Sequence, residues 1–173
     1  MATLAADRIG TVHRITPADA ARMRALRLEM LADSPLAFLE TLAQAAARPH
    51  EDYRRRIAQA STGRGLAQFV ADPGGRLVGH AGGTVMPEDR STTIVFAVYV
   101  TPSRRGTGVL DDLVRAVADW SVQVGRPRLM LEVVVGNDRA VRAYERLGFT
   151  DTGVRVPHPV IPGLTELQMR RAA

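Results

Sequence analysis

The chain has 173 residues and a mass of 18.7 kDa, enough for one domain spanning 1–173. Its 46% hydrophobic and 24% charged residues are ordinary for a globular protein, and the absence of cysteine excludes disulfides, thiolate metal sites, iron–sulfur clusters and a catalytic thiol. The net charge of +5 is carried by arginine without a single lysine and forms no long basic block, which speaks against a nucleic-acid partner and fits a compositional bias.

Residues 1–10 lack the apolar core of a secretory leader, and no run of 18 apolar residues follows, so a cytoplasmic protein without a membrane span is expected. Residues 11–15 are β-branched and read as a strand. Thr16 is suited to an N-cap, Pro17 to the first helical position and Asp19 to the first turn. Ala18, Met23, Leu26, Met30 and Leu31 then recur at helical spacing as far as Ala32, and Asp33-Ser34-Pro35 breaks the pattern. Residues 36–47 are again compatible with a helix. Pro49 opens a third, with Tyr53, Ile57 and Ala58 on one face and Arg54-Arg55-Arg56 as solvated surface.

From Leu66 the period changes. Residues 66–71 and 76–85 read as a hairpin about the turn Asp72-Pro73-Gly74-Gly75, and Gly79, Gly82 and Gly83 mark a bulge or a close backbone approach. A loop at 86–91 leads to 92–100, the most apolar run and the expected central strand. A basic loop, 104–108, precedes an amphipathic helix at 109–124 with Val109, Leu113, Ala116, Val117 and Trp120 inward. A buried strand at 129–135, a helix at 138–147 ended by Gly148, and strand regions from Phe149 and at 164–169 complete the chain. The order predicts an α/β (α+β) domain, a twisted mixed sheet flanked by helices, with a right-handed parallel crossover from 92–100 to 129–135.

Two stretches carry chemistry. In Val100-Thr101-Pro102-Ser103-Arg104-Arg105-Gly106-Thr107-Gly108-Val109 a strand runs through a basic, glycine-punctuated loop into a helix N-terminus. Unpaired first-turn amides, the helix dipole and the arginines suit a phosphate or pyrophosphate there. The spacing is neither that of a P-loop nor of the dinucleotide fingerprint. In the second stretch Asn137 and Tyr144 lie seven residues apart, two helical turns, so both can face one cleft; the alternatives are an N-cap asparagine and a core tyrosine.

Together the stretches resemble the GCN5-related N-acetyltransferase (GNAT) superfamily. The residues that carry the resemblance are Val100-x-Pro102-x-x-Arg105-Gly106-x-Gly108, then Asn137-x-x-Ala140-x-x-x-Tyr144-x-x-x-Gly148-Phe149, with Asp33-Ser34-Pro35-Leu36-Ala37-Phe38 as a further similarity. The resemblance implies acetyl-CoA as acyl donor, with no metal. It implies that Arg105 and the amides of Gly106, Thr107, Gly108, Val109 and Leu110 hold the pyrophosphate. Backbone groups of Val98 and Val100 pair with the pantetheine arm, Asn137 contacts that arm, and Tyr144 protonates the departing thiolate. Leu110 stands where the family pattern has a small residue, so its side chain can crowd the phosphates, with Asp111 and Asp112 close by.

Many members of that family carry a glutamate on the strand that is 92–100 here; this strand has no carboxylate, so the resemblance points to Glu88 and Asp89 in the preceding loop as candidate general bases, with Glu132 either an alternative or an outward-facing structural residue. His13, His50, His80 and His158 match no metal spacing, and His80 is read as a structural histidine. The expected acceptor is a primary amine of a small molecule. A protein or aminoacyl-tRNA amine, or a non-catalytic ligand-binding module of the same fold, are the alternatives. Homodimers are common in such folds, and the oligomeric state stays open at this point.

Overall fold

One sheet organises the chain, and its two faces carry separate cores. A computed structural model describes residues 10–173; apart from Gly10, the residues 1–10 weighed as a possible leader lie outside it. The strands are β1 (Val12–Arg14), β2 (Leu66–Ala71), β3 (Gly79–Val85), β4 (Thr92–Val100), β5 (Arg128–Val134), β6 (Thr150–Pro157) and β7 (Thr165–Ala172). The helices are α1 (Ala20–Asp33), α2 (Leu42–Ala47), α3 (His50–Ser61), α4 (Val109–Gln123) and α5 (Asp138–Arg146). The sheet order is β1-β2-β3-β4-β5-β7-β6. Every neighbouring pair is antiparallel except β4 and β5, which the α4 crossover makes parallel.

On one face α4 and α5 cover a cluster that includes Val95, Leu113, Val117, Trp120, Leu131, Val133, Leu167 and Met169. On the other face α1 and α3 cover Met23, Leu26, Met30, Ile57, Leu77 and Tyr99. Burial of the apolar stripes fixes the helices, as the spacing of Met23, Leu26 and Met30 predicts, although Ala18 and Ala58 are exposed. Residues 36–47 depart from the expected continuous helix. A 3₁₀ turn at Pro35–Ala37 is followed by extended Phe38, whose ring leaves to pack edge-on against Tyr99. Thr41 then caps α2 by accepting from the Gln44 amide.

The glycines of β3 are required by close approach. A Cβ on Gly82 would fall 2.4 Å from the Phe96 ring, and one on Gly83 2.9 Å from Trp120. The bulge lies in the partner strand. His80 pairs with Tyr99 and Gly82 with Phe96, so β4 holds one extra residue, and Ala97 there has φ 49°. His80 is fully buried behind the bulge, its Nδ1 2.7 Å from the Ala97 carbonyl oxygen. Burial pushes its pKa down to about 4, so the ring is neutral, and Nδ1–H donates to that carbonyl.

Candidate active site

The parallel pairing of β4 with β5 extends only from Thr92↔Arg128 to Ile94↔Met130. Beyond it the strands separate, and a cleft of about 400 Å³ opens between residues 95–100 and 131–134. The Thr101 amide donates to the carbonyl of Val78, the residue just before β3. Strand alternation therefore directs the backbone groups of Val100 and Val98 to the open edge. Arg105 Nε takes the Val100 carbonyl at 3.0 Å, which leaves the Val100 amide and both Val98 groups facing the cleft.

Gly106 (φ 75°) and Gly108 (φ 90°) line the cleft below α4 in the left-handed region. A Cβ on either would meet nothing within 4 Å, so the loop is open above its backbone. Gly108 is the N-cap of α4, and the first-turn amides that follow have no intrahelical acceptor. These residues fit a phosphate. The Val109 side chain is core, and the Thr107 hydroxyl turns back to the Arg104 carbonyl at 2.5 Å, so both can contribute only main-chain amides. Leu110 is half-buried against the core below α4 and also lines the cleft.

Arg105 lines the cleft, but its guanidinium ties the loop to the body of the protein. Besides Val100 it bonds Asp33 at 2.5 Å and lies over the Tyr99 ring. The cations open to an anion are others: Arg104, and Arg139, Arg142 and Arg146 at i, i+3, i+7 on α5. None has an ion-pair partner among the described residues. The helical spacing of the α5 arginines is legible in the sequence, yet the sequence reading did not draw them into the site.

Asn137 caps α5, its Oδ1 accepting from the Ala140 amide at 3.3 Å, and it also lines the cleft. Tyr144 packs edge-on against Phe149, and its hydroxyl has no hydrogen-bond partner among the described residues. Burial raises its pKa, so the phenol keeps its proton.

Glu88 is not among the residues that line the cleft. It is exposed in the loop before β4, at the end of the strand opposite the cleft. From Thr92 to the bulge is ~17 Å of extended chain. Asp89 is held by the Ser91 amide and hydroxyl and by the Thr92 hydroxyl, with Arg128 beside it, as a turn.

The carboxylates that do line the cleft are Asp111, in the first turn of α4 beside the glycine loop, and Glu132 and Glu166. Leu131, Val133, Leu167 and Met169 point into the α4–α5 core, so alternation turns Glu132 and Glu166 to the opposite face, where Phe38 also lines the opening. Glu132 is exposed, whereas Glu166 is 7% exposed. Burial and the Glu132 charge raise the Glu166 pKa, against a smaller opposing effect of His158. Sequence reasoning missed Glu166, because its alternation does not say on which face a cleft will open.

His13, Asp19 and Asp72 form the one group of metal-ligating side chains among the described residues. The Arg22 guanidinium stands 2.5 Å from Asp19 and 2.8 Å from Asp72 and takes the place of a cation. No described helix is long and apolar enough to cross a membrane.

The family model for Acetyltransferase (GNAT) matches residues 29–149. A mouse protein named "Probable N-acetyltransferase family 8 member 5" is 31% identical over 131 residues, covering 74% of this chain and 55% of that protein. N-acetyltransferase 8 of Rattus norvegicus is 31% identical over 93 residues, 52% of this chain and 42% of that protein. The chain thus spans about half the length of the curated relatives it matches. In fold it is similar to an acetyltransferase of the GNAT family from Streptococcus pneumoniae, with a TM-score of 0.78, 17% identity, and 94% of this chain and 98% of that one covered. The Salmonella typhimurium protein yncA, solved with acetyl-CoA, gives a TM-score of 0.75 at 19% identity over 94% of this chain and 92% of that one.

Proposed function

The chain belongs to the acetyltransferase (GNAT) family, and on that footing we propose that it transfers the acetyl group of acetyl-CoA directly to the primary amine of a small molecule. The observation that carries the reading is a gap through the sheet with opposite charge at its two mouths. On the α5 side stand the open glycine loop and four arginines without an ion-pair partner among the described residues, which outnumber the single carboxylate there, Asp111; on the α1 side stand Glu132 and Glu166. An anionic donor is favoured from the first side and an ammonium acceptor from the second.

In this reading the amides of Gly106 to Leu110 take the pyrophosphate, with Arg104 and the α5 arginines supplying the charge that Arg105 gives to Asp33. The open backbone of Val98 and Val100 lies along the pantetheine arm as an added strand would, and Asn137 borders it. When bound, acetyl-CoA supplies an activated thioester. The Val98 amide, aimed by the bulge, polarises the carbonyl, and Tyr144 hands its phenolic proton to the departing sulfur.

Release of free thiol from acetyl-CoA, followed against a panel of primary amines, tests the proposal. Turnover with at least one small amine is expected. Calorimetric binding of acetyl-CoA without turnover of any amine would favour a binding module of the same fold. Acetylation of a protein or aminoacyl-tRNA alone would reassign the acceptor.

A further inference from the structure

We propose that Glu166 is the base that takes the proton of the acceptor ammonium and that His158, buried behind it, is its positioning residue; the inference rests on the acetyltransferase reading above. His158 sits in the loop between β6 and β7, its side chain fully buried. Its Nδ1 accepts from two backbone amides, Ile161 at 3.0 Å and Val160 at 3.2 Å. An imidazole nitrogen that accepts carries no proton, so in the neutral ring the proton is on Nε2. That Nε2 has no hydrogen-bond partner and lies 4.0 Å from Glu166 Oε1. A buried polar atom left unpaired is costly, and here it is aimed at a carboxylate that borders the cleft.

The titratable groups that face Glu166 are Glu132 from β5 and His158 from the β6–β7 loop. Cross-strand register sets Glu166 opposite Val134 and Glu132 opposite Gln168, one step apart along the same face. Glu132 is exposed at the mouth, where it attracts an ammonium. Glu166 lies deeper, and its burial makes it the better proton acceptor near neutral pH.

The step balances as follows. The ammonium gives one proton to Glu166 and becomes a neutral amine. The amine nitrogen forms the C–N bond as the thioester C–S bond breaks, and the sulfur takes the Tyr144 proton. The nitrogen's second excess proton restores Tyr144 through solvent, and Glu166 releases its own to water. The products are the amide, the free thiol and one proton.

The test has two arms. In the first, acetyl-CoA is offered with ethanolamine, 1,4-diaminobutane, phenethylamine and glycine amide, and the rate is followed against pH. Glu166→Gln is expected to lower kcat on the order of 10²-fold or more, to abolish the acidic limb of the profile and to leave the KM for acetyl-CoA unchanged. Glu166→Asp, which keeps a carboxylate, is expected to restore part of the rate, and His158→Gln to move the acidic limb to higher pH. A Glu166→Gln protein with wild-type kcat, or one changed only in the KM of the amine, overturns the assignment.

The second arm uses the free protein. Nitrogen-15 NMR is expected to find the neutral His158 ring protonated at Nε2. Carbon-13 NMR is expected to find the Glu166 carboxyl titrating above the ordinary glutamate range, and higher still in His158→Gln. A ring protonated at Nδ1, or a Glu166 carboxyl indifferent to His158, overturns the proposal. Failure of the wild type on every amine counts against the acetyltransferase reading, and the second arm still judges this one.

Discussion

His80 sets a condition on stability. The folded ring has a pKa of about 4, below the ordinary histidine value of 6.5 expected once the chain unfolds. As pH falls from about 6.5 toward 4 the unfolded chain takes up a proton that the native protein refuses, and stability is lost in that window. Between pH 7.5 and 4.5 the loss from this residue is expected to be about 2.5 kcal/mol. Urea unfolding of wild type and His80→Gln at both pH values checks it; equal losses in the two proteins would remove His80 from the account. Tyr144 calls for a different measurement. Tyr144→Phe keeps the ring against Phe149, so acetyl-CoA affinity is expected to hold while kcat falls roughly 10²-fold, the low end for a general acid because a thiolate leaves readily. Since burial raises the phenol's pKa, no loss of rate below pH 10 is expected from its ionisation. Both side chains were legible as candidates. The partner of His80 was not, because a bulge at Ala97 arises from the pairing of two strands and leaves no mark in either alone.

At the scale of elements, the turn into α4 is fixed by Gly106 and Gly108, whose positive φ angles and open surroundings leave backbone where a side chain would stand. Gly108→Asp puts a carboxylate at that point, and acetyl-CoA binding is expected to weaken by more than tenfold with the fold retained. Titration calorimetry beside a thermal melt would decide, and unchanged affinity would take the pyrophosphate away from this loop. Leu110 packs partly on the core, so Leu110→Gly is expected to destabilise α4 by about 1 kcal/mol in helix propensity alone, a loss readable in the same melt. The strands at 66–71 and 92–100 and the helix entered at Val109 were legible because burial imposes their periods. Residues 36–47 were not, because the ring of Phe38 is held by Tyr99 and its guanidinium neighbour Arg27, residues distant in sequence.

For the whole molecule, the net charge of +5 has a location. Many arginines are paired with carboxylates, whereas those of α5 and Arg104 border the cleft without an ion-pair partner among the described residues. Reversing two of them, Arg139→Glu with Arg142→Glu, is expected to weaken acetyl-CoA binding about tenfold at low salt and to flatten its dependence on ionic strength. Affinity measured at two salt concentrations checks this, and a variant as salt-sensitive as wild type would move the phosphates elsewhere. Composition alone could not have shown it, since the exposed Arg54-Arg55-Arg56 triplet reads equally basic in the sequence and stands on α3, apart from the cleft.

The short parallel seam between β4 and β5 has a consequence in time as well as in space. Three residue pairs register the two halves of the sheet against each other, and beyond them the edge amides of Val98 and Val100 have no strand to hold them. These amides should trade hydrogen for deuterium far faster than their neighbours on β3, although they sit in the middle of a seven-stranded sheet. A donor lying along that edge would act as the missing rung. Exchange at Val98 and Val100 would then slow on saturation, and the protein would gain about 2.7 kcal/mol at a hundredfold excess over Kd.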